Sequence, residues 1–152
     1  MEILIAVLHV VSAVFIIGPM AILPMTAMRA ARARNGAQVL ALARATHTFT
    51  LLSLLVFVLG IALLGVSDPK DHTTFASAWI IWSIVLYVFA FAINLAVTVP
   101  AMKRVAGGVT ASTGPEGTVA AARPGGYGAI AGGSGLASLL LVAVVVLMVW
   151  KP

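Results

Sequence analysis

Cysteine is absent from all 152 residues. Its absence removes disulfides, thiolate metal ligands and a cysteine nucleophile, and it leaves the redox compartment unreadable. Acidic residues are almost as scarce: Glu2, Asp68, Asp71 and Glu116 are the only four. None falls inside an apolar stretch, so there is no general acid–base pair, and no carboxylate of the kind a proton-driven exporter needs in its path. The phosphate-cradling GxxxxGK[ST] and zinc-binding HExxH patterns are also missing. An enzyme is therefore the least supported class.

Apolar residues make up 62% of the chain and charged residues 9%. A soluble domain of this size needs far more polar surface. Four runs, about 3–28, 46–66, 75–100 and 129–150, contain no Asp, Glu, Lys or Arg. Each approaches or exceeds the ~20 residues that cross ~30 Å of hydrocarbon. The expected fold is an all-α integral membrane protein, a single domain with four transmembrane helices. The first run is too long for a signal peptide, carries Glu2 where a basic segment belongs, and is followed by arginines.

The net charge of +5 is not a nucleic-acid signature. Arg29, Arg32, Arg34 and Arg44 lie between runs one and two, and Lys103, Arg104 and Arg123 between runs three and four. Short basic loops stay on the cytoplasmic side, which predicts both termini and the 67–74 loop outside a bacterial plasma membrane. The basic rim is a candidate surface for anionic lipid, and Arg44 with His47 is one candidate pair within it.

Pro19 and Pro24 interrupt the first run, which predicts a bend near Gly18-Pro19. Asn35-Gly36 signals a turn, and 37–44 starts the second helix before it enters the membrane. Thr46, Thr48, Thr50 and Ser53 can bond their own backbone or a neighbouring helix. Trp79 and Trp82 suit the headgroup boundary. Asn94 is the one amide inside a run. Residues 101–127 are rich in Gly, Ala, Ser, Thr and Pro and read as a flexible cytoplasmic loop. Gly128 and Gly132, and Gly133 with Ala137, are spaced four apart. That small-xxx-small spacing allows close helix approach, making Gly128, Gly132 and Gly133 interface candidates.

His9 is the only side chain deep in a run that titrates near neutral pH. It reads either as a haem or metal ligand or proton acceptor, or as a neutral imidazole bonded to another helix. His47 belongs to the opposite end, ~20 Å away in depth, so the two cannot be axial ligands of one haem within one chain. No catalytic residue and no metal site emerges from the spacing.

The stretch LHVVSAVFIIGP, the arginine-rich loop and ARATHTFTLLSLL resemble small four-span bacterial proteins described as predicted integral membrane proteins. With its Ala, Gly, Arg and Val usage, the chain also resembles the small four-span accessory subunits (CtaI type) of the actinobacterial cytochrome bcc–aa3 respiratory supercomplex. That resemblance implies a non-catalytic subunit without its own cofactor, packed on cytochrome c oxidase subunits that hold the haem and copper. The first run is similar, too, to copper-resistance-type membrane proteins and to a four-span haem-binding protoporphyrinogen oxidase. Those families show an aromatic and paired small residues after the histidine. Here only Phe15 and Gly18 match, and the later ligand positions are not evident. The expectation is an accessory subunit, with a His9-dependent haem protein or a small transporter or channel as alternatives.

Overall fold

In the structure, a computed structural model, residues 1–66, 77–111 and 126–150 are described. The expected outer loop with Asp68, Lys70, Asp71 and His72 lies outside them, as do Glu116 and Arg123. Helix α1 spans Glu2–Arg32 and α2 spans Gly36–Val66. A long rod follows, made of α3 (Ala78–Ile93), a π-helical turn (Asn94–Thr98) and α4 (Val99–Ala111). Helix α5 spans Tyr127–Trp150. The described residues therefore form four helices long and apolar enough to cross a membrane. Residues 101–111, expected to be loop, are helical instead. Their apolar side chains Ala101, Met102, Val105, Ala106 and Val109 are buried, while Lys103, Arg104, Gly107 and Gly108 are exposed. That is the spacing of a helix with one buried face.

The turn between α1 and α2 is built from backbone bonds. Arg34 takes a left-handed conformation (φ 56°). The Asn35 amide donates to the Ala30 carbonyl and the Arg34 amide to the Ala31 carbonyl, at 3.0 and 3.1 Å. Together these close the α1 C-terminus as a Schellman motif. Asn35 then accepts the Gln38 amide on its Oδ1 at 3.0 Å, capping α2. One three-residue link thus ends one helix and starts the next, making an αα-hairpin.

Helix α1 packs along α2, α2 along α4, α3 along α5, and α5 closes the ring against α1. Two cores fill the bundle. At the basic end, Ala27, Ala30, Ala31, Ala43, Ala101 and Ala106 surround Val39, Met102, Val105, Val109 and Ile130. Small residues there let backbones approach closely. A Cβ at Gly36 would overlap Thr110, and one at Gly126 would lie 3.1 Å from the Ala101 carbonyl oxygen. Further along the bundle the second core is larger in side chain: Met20, Tyr87, Ala90, Ala137, Leu141 and Val144, flanked by Phe49, Phe57 and Phe91. Phe57 stacks on Tyr87 with ring centroids 5.0 Å apart and planes 7° apart. Helix α1 buries nothing before Met20, so its first half is lined on one side only.

Candidate functional site

The polar groups of this bundle are few and mostly tied back to their own helices. Thr46, Thr50, Ser83 and Ser134 donate their hydroxyls to the carbonyl four residues earlier, at 2.6–2.9 Å. Such bonds satisfy the proton of a buried hydroxyl within its own helix. Ser53 donates to the Thr50 carbonyl at 2.7 Å and also sits 2.9 Å from the Tyr87 hydroxyl. A serine has one proton to give. Tyr87 must therefore donate to Ser53, and this bond ties α2 to α3.

His9 projects from α1 onto α2. Its Nδ1 donates to the Val56 carbonyl at 2.9 Å. The imidazole occupies a notch left by Gly60, where a Cβ would meet His9 Cε1 at 3.0 Å. The bond fixes the ring orientation, and in the neutral ring it leaves the lone pair on Nε2. His47 lies nine residues before Val56 and thirteen before Gly60 on α2, or about 14–20 Å along the helix. The structure does not bring the two histidines together. Among the described residues no three His, Cys, Asp or Glu side chains gather to hold a metal ion.

The candidate basic residues collect at the other end. Arg29 and Arg32 are exposed in the last turn of α1, where cations favour the helix dipole. Arg34, Arg44, Lys103 and Arg104 are also exposed, and His47 is half-buried. Between α2 and α4, Lys103 borders an open groove of about 680 Å³ whose walls include Ala37, Leu40 and Ala106.

The glycines of α5 divide by face. Gly133 and Ala137 are buried in the bundle, and a Cβ on Gly133 would come 2.8 Å from Thr98 Oγ1. Gly128 and Gly132 are exposed with open space before them. Spacing alone gives both pairs the same weight; the structure assigns one to the fold and leaves the other on the surface.

Reading the residues one by one missed the π-helical turn. Asn94 and Thr98 stand four apart on it, 2% and 0% exposed. Among the described residues the Asn94 Oδ1 and the Thr98 Oγ1 have no hydrogen-bond partner. The visible signal was Asn94 itself, a lone amide in an apolar run.

No curated protein and no solved structure matches this chain. A family model matches residues 3–152, nearly its whole length. The four membrane-length helices agree with that family's description, and the chain belongs to the predicted integral membrane protein family DUF2269.

Proposed function

We propose that this protein is a non-catalytic accessory subunit that packs on other integral membrane subunits of a respiratory complex, with a cytochrome c oxidase of the bcc–aa3 type as the candidate. The supporting observation is the outward face of α5. Gly128 and Gly132 are exposed beside Ala131, with nothing packed against them. Lipid gains nothing from a helix without side chains, whereas a second helix gains close backbone contact. The basic rim would hold anionic lipid at the same assembly. Haem and copper would belong to the partners. The test is mild-detergent purification of the tagged chain, read by native gel and mass spectrometry. Oxidase subunits should co-purify in fixed ratio and be lost when Gly128 and Gly132 are both replaced by leucine. A lone chain in the wild-type preparation rejects the reading.

His9 supports a second reading, a haem-binding redox protein. A backbone carbonyl on Nδ1 and a glycine notch beside the ring are the arrangement that aims Nε2 as a ligand. His9 is the residue that would hold the haem. Bound haem would supply the electron-transfer chemistry, and the chain would supply the orientation. A Soret band in the isolated protein that vanishes in His9→Ala would select this reading over the first.

A further inference from the structure

We propose that the π-helical turn holds an ordered water molecule between Asn94 and Thr98, making it a built hydration site inside the membrane-spanning bundle. Thr46, Thr50, Ser83 and Ser134 are buried hydroxyls, and each bonds the carbonyl four residues back. Thr98 does not, because it ends a turn whose hydrogen bonds run to the fifth residue rather than the fourth. Asn94 Oδ1, at the start of the same turn, is also without a partner among the described residues. An unmade hydrogen bond on a buried group is destabilising, so two together would weigh heavily on one turn.

Thr98 Oγ1 faces Gly133 across the helix contact, where glycine leaves only hydrogen; a Cβ there would stand 2.8 Å from the hydroxyl. The neighbourhood is also polar. Tyr87 bonds Ser53, and counting seven residues from each along antiparallel helices places Thr46 level with Asn94. Thr46 is fully buried.

The chemistry of the two atoms selects the occupant. Asn94 Oδ1 only accepts, while Thr98 Oγ1 both donates and accepts. A water can donate to Asn94 and complete Thr98 in either sense, meeting the two to four partners a buried water needs. A monovalent cation fits poorly. Among the described residues the one carboxylate side chain is Glu2, at the first residue of α1 and far along the bundle from Asn94, and an uncompensated charge in hydrocarbon is costly.

The test uses the full chain in lipid. Only Asn35 and Asn94 carry an asparagine side chain, so selective ¹⁵N-asparagine labelling gives two side-chain amide signals. In water-edited solid-state NMR, exposed Asn35 serves as the positive control. Asn94 should show rapid magnetisation transfer from water despite its burial, and Thr98→Val should abolish it. Thr98→Ser keeps the hydroxyl and should retain it. No transfer to Asn94 in the wild type overturns the proposal. Thermal stability gives an independent reading: Thr98→Val should lower the melting temperature and Thr98→Ser should not. A Thr98→Val protein that is as stable as wild type or more so means the hydroxyl had no partner, and overturns it as well. Stabilisation by sodium or potassium over choline, lost in Thr98→Val, replaces the water with a cation and refutes the proposal.

Discussion

The Ser53–Tyr87 bond makes an asymmetric prediction. Ser53 already gives its proton to the Thr50 carbonyl, so Tyr87 is the donor between the two hydroxyls. Tyr87→Phe removes the donor and leaves Ser53 with a spare lone pair, which is cheap. The cost should be about 0.5–1 kcal/mol, the range of interhelical hydrogen bonds in membranes. Ser53→Ala removes the acceptor instead. It strands the Tyr87 O–H in a site only 8% exposed, clamped against Phe57 at 5.0 Å and beside Phe91 at 6.1 Å. A stranded buried donor costs about 1–3 kcal/mol. The serine change should therefore be worse by about 1 kcal/mol, although each change removes one oxygen. The double variant should lie near Tyr87→Phe alone, because removing both groups leaves nothing unpaired. The assay is reversible unfolding in bicelles, measured for wild type, both single variants and the double. A tyrosine change as costly as the serine change, or two effects that simply add, would refute the assigned donor direction.

Four further outcomes follow from the geometry. Asn35→Ala removes the side-chain oxygen that caps α2 and should cost about 1 kcal/mol in the same assay. Arg34→Gly should be neutral or stabilising by up to about 1 kcal/mol, since glycine adopts the left-handed conformation at Arg34 without steric cost. Gly60→Val pushes a side chain into the His9 imidazole and should lower the melting temperature; His9→Ala in the same chain should recover part of the loss, and simple addition of the two would count against the notch. Gly132→Ala adds a methyl group to open space and Gly133→Ala adds one against Thr98, so the first should stay within about 0.5 kcal/mol of wild type and the second should cost about 1–3 kcal/mol.

What was legible in this chain and what was not divides along physical lines. A membrane span is dictated by length and the absence of charge, both local properties, so all four helices stood out before any coordinates. The turn at Asn35-Gly36 was legible for a similar reason, though its left-handed residue is Arg34 rather than the glycine. The stretch 101–111 was misread because composition was weighed above period. Gly107 and Gly108 suggest a loop, yet Ala101, Met102, Val105, Ala106 and Val109 already repeat as one face of a helix. Small-residue spacing in α5 could not be resolved at all, since Gly128–Gly132 and Gly133–Ala137 are the same pattern one face apart. The partners across the contact, Thr98 with Val97 and Ile93, separate them.

The π-helical turn was the least legible element, and its cause lies in the rod as a whole. Ala90, Asn94, Thr98 and Met102 are all buried at four-residue steps. In an α-helix each such step overshoots a full turn by about 40°, so the line would drift off the core within three steps. A wider turn between Asn94 and Thr98 absorbs the drift. It lets the aromatic core around Tyr87 and the alanine core around Met102 be served by one continuous helix. The cost is the pair of unpartnered oxygens at its two ends. The feature that keeps the rod packed along its length thus also creates the most polar buried point on it. A water held there would offset that cost without adding charge to the span.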